Sequence, residues 1–456
     1  MITRIARERV ALTIAAAAIV LRIALAAAAM TTAGVETVHA PDTSGYLEPA
    51  RELLDSGTFT RGGKPEILRT PGYPLLLLPG LLIDRVEGVT VFLQALLAGF
   101  TVVAVYGLAL ELLHRRAAVA AAVLYALEPL SVLYASRLLG ETLFTACLTW
   151  GLLLLTRLAG RRDDPFQPLI VPATLAGLLL STAALVRPLA YPIALVAGLS
   201  AAWFALRRSV SSRGRWRPVV LLSVTAIAPL LAWQGRNAMV AGYGGLSAIV
   251  DVNGYFYQGA ATDAAVQGIP FYQQQKTLGY RDLEVYLEAH PEQRSWSPAR
   301  RFEFMGRAGL GRVLAHPLTY IGIHLRGMAR VAVDPGGVEY LRLFGAYPAS
   351  GGGLLGRVVD DGLWATLQYV RRERPGLLAI EALFGVFLVG VYLLAVRGAL
   401  MTTPRSRHAW AVSLAVAGYL WFASGGPHSL SRFRHPIMPI MCALAGAGLA
   451  ARKDRQ

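Results

Sequence analysis

The sequence predicts an all-α polytopic membrane bundle, and three observations predict it. Of 456 residues, 55% are hydrophobic and only 16% charged, where a soluble chain carries roughly a quarter charged residues. Mean hydropathy is +0.47. Several apolar runs reach the roughly 20 residues that a helix needs to cross a bilayer.

The spans are read in order. The first runs from about Val10 to Met30, behind Arg4, Arg7 and Arg9. It is long for a signal core and is interrupted by Arg22, so it is expected to stay uncleaved. The second runs from Val89 to Leu113 and ends at His114-Arg115-Arg116. The third, Ala117 to Tyr134, turns back into the fourth, Leu138 to Leu158, which Arg161 and Arg162 follow. The fifth and sixth, Leu169 to Val186 and Pro188 to Leu206, meet at Arg187-Pro188. The basic loop Arg207 to Arg217 precedes the seventh, Pro218 to Trp233. Later spans are Leu377 to Val396, Ala409 to Ser424 and Pro436 to Ala451. Leu318 to Val333 is apolar but carries His324, Arg326 and Arg330. It either crosses or lies along the interface. The expectation is the interfacial option and about ten spans, eleven if this segment crosses.

The basic loops of the first seven spans share the side of the N-terminus, which the positive-inside rule places in the cytoplasm. The segments 31–88, 236–317 and 335–374 then face outward. The chain reads as one transmembrane domain, 1–456, with its working surface outside. The cytoplasmic loops are too short to hold a nucleotide site.

Net charge is +16, and lysine occurs only at Lys64, Lys276 and Lys453. The arginine, alanine and glycine excess points to a GC-rich bacterial genome, and the basicity of short loops to topology rather than to nucleic acid. The two cysteines, Cys147 and Cys442, lie in apolar runs without a CxxC pair. They read as small buried hydrophobes.

Candidate chemistry begins at Asp42, just after the first span. Tyr46, Leu47, Ala50, Leu53 and Leu54 form a helical stripe that Gly57 stops. Asp42 then reads either as that helix's N-terminal cap or as a general base taking a proton from an acceptor hydroxyl. Glu128, Arg137 and Glu141 lie near the outer boundary of spans three and four. Ionisable groups there need a partner or a task. Arg137 and Glu141 could pair with each other at four-residue helical spacing, or Arg137 could hold a phosphate with Glu141 near Asp42. Arg69, Arg187, Arg236, Arg432 and Arg434 are also outer-face arginines, candidates for bidentate phosphate contact. Some would be snorkelling anchors; two or three of the six are expected on a substrate phosphate. GAGLAA, Gly446 to Ala451, reads as helix packing rather than a dinucleotide site. Ser350 to Gly353 reads as a flexible loop. A metal on Glu36, His39 and Asp42 is weakly supported, and no metal or cofactor is expected.

Taken together these motifs resemble the GT-C membrane glycosyltransferases, nearest to the branch with protein O-mannosyltransferases and lipid A aminoarabinose transferases (glycosyltransferase family 39-like). The likeness rests on the acid after the first span, GYLEPARELLDSG, RTPGYP, EPLSVLYASRLLGETLF, the VRP at Arg187, PLLAWQGRNAMVAG, AHPLTYIGIHLRG and SRFRHPIMPIM, in that order. It implies transfer of a sugar from a polyprenyl-phosphate donor to a glycan, lipid or protein acceptor outside the cytoplasm of a bacterial inner membrane. It implies Asp42 as the catalytic acid residue of the first loop, Glu141 as the acid heading the fourth span, and Arg137 and Arg434 at phosphate-binding positions. Family members often carry Asp-Glu in the first loop, whereas Thr43 follows Asp42 here. The rival expectation is a lipid-linked sugar flippase, although repeated halves and broken helices around a midplane site are not evident in the sequence.

Overall fold

The computed structural model describes residues 9–160, 169–207, 216–348, 354, 357–358, 362–402 and 407–451. Arg4, Arg7, Arg161, Arg162, most of the Arg207 to Arg217 loop, the Ser350 to Gly353 loop and the residues after Ala451 lie outside the described residues.

Helices dominate. In chain order they begin with α1 (Arg9–Ala33), α2 (Ser44–Ser56), α3 (Gly72–Leu81), α4 (Val86–Leu112), α5 (Arg115–Ala126), α6 (Pro129–Tyr134) and α7 (Glu141–Gly160). Next come α8 (Ile170–Val186), α9 (Tyr191–Arg207), α10 (Trp216–Ala241), α11 (Ile249–Asn253), a π-helical turn at Gly254–Gly259, and α12 (Ala260–Gln267). The rest are α13 (Phe271–Thr277), α14 (Leu283–Ala289), α15 (Pro298–Ala315), α16 (Pro317–Val333), α17 (Gly337–Leu343), α18 (Leu363–Glu373), α19 (Pro375–Met401), α20 (Arg407–Ala423) and α21 (Met438–Ala450). Short 3₁₀ turns stand at Val35–Val38 and Ser431–Ile437. Among the described residues the only strands are β1 (Thr60–Arg61) and β2 (Lys64–Pro65), an antiparallel hairpin pairing Thr60 with Pro65.

Several elements differ from the sequence expectation for local physical reasons. The third span breaks into α5 and α6 because Pro129 lacks an N–H and pushes the residue before it out of the helical region. Glu128 takes extended dihedrals there, and its carboxylate caps α6 by accepting Ser131 N–H at 2.6 Å. The seventh span continues well past Trp233 to Ala241. Its polar last turns are tolerated because Gln234, Arg236 and Asn237 all donate to backbone carbonyls. Arg236, expected after the span, therefore lies within the helix. The stretch expected as one loop through Gly88 contains the apolar helix α3.

The described helices pack as a chain of neighbours: α1 on α4, α4 on α5 and α7, α7 on α8, α8 on α10, and α21 on both α5 and α19. Small residues permit the close approaches that hold membrane helices together. A side chain at Gly446 would meet the Ala117 carbonyl, and one at Gly448 the Leu394 carbonyl. GAGLAA is thus a packing seam, as its composition suggested. Large apolar side chains on the outer surface, among them Phe100, Val196, Leu231 and Leu393, present a face suited to lipid. Cys147 and Cys442 are buried and unpaired.

Among the described residues five helices (α1, α4, α7, α10 and α19) are long and apolar enough to cross a membrane; Gly72–Leu81, Ile170–Val186 and Pro188–Trp203 are shorter apolar helices. The expected ten spans therefore rest partly on short helices. Both ends of α16 are held among elements of one face: α15 precedes it, and Arg434 donates to the Val331 and Asp334 carbonyls at its end. The same face gathers the end of α1, the starts of α2 and α7, the ends of α8 and α10, and the Ser431–Ile437 turn. Bonds from Thr43 to Leu138, Thr70 to Val186, Arg236 to Glu66 and Arg432 to Asp42 tie them together.

Candidate active site

The site is assembled from three distant stretches of chain. At its centre is Asp42, fixed by its neighbour: the Thr43 hydroxyl accepts the Ala40 N–H at 2.8 Å and donates to the Leu138 carbonyl at 2.9 Å. Thr43 is the N-cap residue of α2 and makes no side-chain cap bond. Asp42 does not cap the helix. Its two carboxylate oxygens instead accept from Arg69 Nη2 and Arg432 Nη1, each at 3.0 Å.

Arg69 is placed by buried Glu66, whose Oε1 accepts the Leu68 and Arg69 N–H groups at 2.5 and 2.9 Å. The guanidinium then lies over the Tyr46 ring, 4.7 Å from its centroid, and donates to the Tyr46 hydroxyl at 3.3 Å. Gly45 leaves the room it occupies, since a Cβ there would lie 3.2 Å from Arg69 Nε.

The other half comes from the bundle. Glu141 heads α7 and accepts from Arg187 Nη1 at 3.0 Å, while Arg432 Nε lies 3.8 Å away. Arg187 is delivered by the end of α8, against which Gly72 packs; a Cβ at Gly72 would meet Leu185 O and Val186 Cγ2 at 2.7 Å. The next residue, Tyr73, donates to Gln94 at 2.9 Å, and Gln94 donates to the Arg137 carbonyl at 2.8 Å. The PGYP motif thereby locks the first loop to the α8 end and the turn before α7. Phe433 separates Arg432 from Arg187, with guanidinium-to-ring distances of 5.2 and 5.4 Å.

The result is an alternating row: Arg69, Asp42, Arg432, Glu141, Arg187. Three cations and two anions leave one positive charge. Burial alone would raise the Asp42 carboxyl, but Arg432 and Arg69 outweigh it and hold the group well below the usual carboxylate range. Burial works against charge on Arg432, and Asp42 and Glu141 reverse that and push it up. The Asp42 side chain keeps 31% of its surface exposed against 4% for Glu141. Of the two acids Asp42 is the one that solvent reaches, and Glu141 is enclosed against Arg187 and Arg432. Arg432 Nε is buried and has no hydrogen-bond partner among the described residues. Above the row stand Tyr257 and Tyr280, hydroxyl to hydroxyl at 2.5 Å, with His428 packed 4.8 Å from Tyr257 centroid to centroid.

Three of the expected phosphate-binding arginines are not in this row. Arg137 does not pair with Glu141, because residues 135–140 form an irregular turn and not a helix. It donates to Thr37 O at 2.6 Å and His39 O at 3.0 Å, clamping the first loop. Arg236 donates to Glu66 O at 2.6 Å and to Phe59 O, and stacks on Trp233. Arg434 donates to the Val331 and Asp334 carbonyls, both at 2.7 Å. Their hydrogen bonds go mainly to backbone carbonyls and none goes to the acids of the row; Arg434 Nε, like Arg432 Nε, is buried without a hydrogen-bond partner among the described residues. Among the described residues no group of three His, Cys, Asp or Glu is placed to hold a metal ion. His39 pairs with Glu87 and Glu36 instead. Sequence reasoning passed over Glu66, Tyr46, Gln94, Tyr257 and His428. The first-loop acid spaced just ahead of Arg69 was the available signal for Glu66.

A sequence model of the family described as dolichyl-phosphate-mannose-protein mannosyltransferase matches residues 69–233. The match covers less than half of the chain and includes Arg69, Arg137, Glu141 and Arg187. Over that stretch the chain is similar to this family, which is in keeping with the GT-C likeness of its motif order. Two solved structures are similar in shape. The archaeal oligosaccharyltransferase AglB from Archaeoglobus fulgidus, in complex with an inhibitory peptide and a dolichol-phosphate, shares 15% identity at a TM-score of 0.43, covering 94% of this chain and 50% of its own. ArnT from Cupriavidus metallidurans bound to undecaprenyl phosphate shares 15% identity at a TM-score of 0.38, covering 95% of this chain and 77% of its own. This chain thus spans half the length of AglB. No curated protein matches it in sequence.

Proposed function

We propose that the protein moves a sugar from a polyprenyl-phosphate donor to a hydroxyl on a glycan, lipid or protein acceptor, at the extracytoplasmic face of a bacterial inner membrane. The observation that carries this reading is the alternating row with one uncompensated positive charge and one solvent-reachable carboxylate. A sugar phosphodiester carries one negative charge, which the row would balance. Arginine offers the planar fork that phosphate oxygens prefer.

In this mechanism the lipid tail lies among the apolar helices, and Arg432, Arg69 and Arg187 hold the phosphate. As the bond from the anomeric carbon to phosphate oxygen breaks, its electron pair leaves with the phosphate. Fixed guanidiniums stabilise that growing charge without reorganising. The acceptor oxygen forms the new bond from the opposite side and gives its proton to Asp42, so the anomeric centre inverts. Glu141 keeps Arg187 and Arg432 in place. The products are the glycosylated acceptor and polyprenyl phosphate.

The test is radiolabelled sugar transfer in proteoliposomes by wild type and Asp42→Asn. A general base contributes about 10²- to 10⁴-fold, so the variant should lose at least about 10²-fold while still binding donor. Full activity in the variant would remove Asp42 as the base. Lipid translocation without a new glycosidic bond would instead establish the flippase reading.

A further inference from the structure

Both oxygens of the Asp42 carboxylate are taken, one by Arg69 and one by Arg432, each at 3.0 Å. A base held this way is poorly disposed to accept a proton. We propose that the donor phosphate is the switch: it takes Arg432 away from Asp42, so that the carboxylate becomes free to accept a proton only once the donor is in place. This rests on the transferase reading above and adds a binding order, donor before acceptor.

Three features carry the inference. Arg432 is shared between two acids and has a spare donor, the buried Nε, which lies 3.8 Å from Glu141 and has no hydrogen-bond partner among the described residues. A phosphate oxygen is a better use of a planar fork than a single carboxylate oxygen. Glu141 stays within 3.8 Å of Arg432 and 3.0 Å of Arg187, so the guanidiniums remain anchored when Asp42 releases. Finally, the groups acting on Asp42 from the surrounding elements are two cations, Arg69 and Arg432, with Tyr46, Tyr257 and His428. The second acid of the row, Glu141, stands on the far side of Arg432. An arriving anion offsets part of that positive charge, and a nearby negative charge raises a carboxylate's proton affinity.

The experiment is calorimetric binding of a non-transferable short-chain polyprenyl phosphodiester at about pH 5, in buffers of different ionisation heat. If Asp42 in the complex titrates near that pH, binding takes up about half a proton per site. The uptake should vanish in Asp42→Asn and persist in His428→Gln. A second readout uses wild-type protein alone. The kcat profile reports the bound complex and kcat/KM for donor the free protein. The acid limb of kcat should therefore lie at least about one pH unit above that of kcat/KM. Absence of uptake by wild type, uptake unchanged in Asp42→Asn, or coincident acid limbs would each overturn the switch. If Asp42→Asn is inactive and these signatures are absent, only the switch fails; if Asp42→Asn transfers sugar normally, the base assignment itself fails.

Discussion

Arg432 and Arg434 stand two residues apart on one 3₁₀ turn, and the structure gives them opposite work. With three residues per turn, positions two apart point about 240° from each other. Arg432 reaches Asp42 at 3.0 Å and Glu141 at 3.8 Å, whereas Arg434 donates twice, at 2.7 Å, to the carbonyls that end α16. Replacing Arg432 with Met removes a preorganised cation from the leaving phosphate. Loss of one such group costs about 10²- to 10³-fold in kcat, or about 2.7–4 kcal/mol. Replacing Arg434 with Met leaves the buried Val331 carbonyl unsatisfied, at about 1–3 kcal/mol, frees the part-buried Asp334 carbonyl, and removes no charge from the row. The assay is kcat per folded molecule for sugar transfer, alongside thermal unfolding in detergent. Arg432→Met should lose kcat by that factor; Arg434→Met should lose Tm and keep kcat within about threefold, because Arg434 makes no bond to the acids of the row. Equal losses of kcat in both variants, or full activity in Arg432→Met, would refute the assignment of roles.

Other outcomes follow from the same geometry. Gly45→Ala sets a methyl 3.2 Å from Arg69 Nε and should cut transfer with little change in Tm, while Gly72→Ala, at 2.7 Å from Leu185 O, should destabilise by about 1–3 kcal/mol in thermal unfolding. Glu141→Gln releases one hold on Arg187 and Arg432 and should raise the donor KM about tenfold, at the 1.4 kcal/mol of a modest charge-assisted bond; an unchanged KM would contradict its positioning role. For pH, the Asp42 carboxyl is depressed in the folded state, so its stabilising contribution is full above the unfolded carboxylate value of about 3.9 and is lost as pH falls toward the folded value. The Tm difference between wild type and Asp42→Asn should accordingly stay flat from about pH 5 to 8 and shrink below about pH 4. A difference that shrinks near pH 7 would place the titrating group elsewhere.

The helices were legible because lipid imposes long apolar runs, and α1, α4 and α19 lie within a few residues of the spans read from hydropathy. The break at Glu128-Pro129 was legible in principle, since proline dictates it, but a hydropathy average runs straight through. The end of α10 was missed because Gln234, Arg236 and Asn237 look like loop residues until their carbonyl partners are known. The site divides in the same way. Asp42, Glu141 and six arginines could be singled out because charge is costly near a membrane. Which arginines meet the acids could not, because Arg69, Arg187 and Arg432 come from three parts of the chain and are indistinguishable locally from Arg137, Arg236 and Arg434. Their sorting depends on tertiary neighbours: free backbone carbonyls for one set, carboxylates for the other.

The most direct measurement is an experimental structure of the protein with a polyprenyl phosphate bound. Phosphate oxygens about 3 Å from the Arg432 guanidinium, with Arg69 or Arg187 completing the grip and the lipid chain leaving between apolar helices, are the expected result. Phosphate seated away from all three of these arginines, or on the face opposite Asp42, would contradict the account.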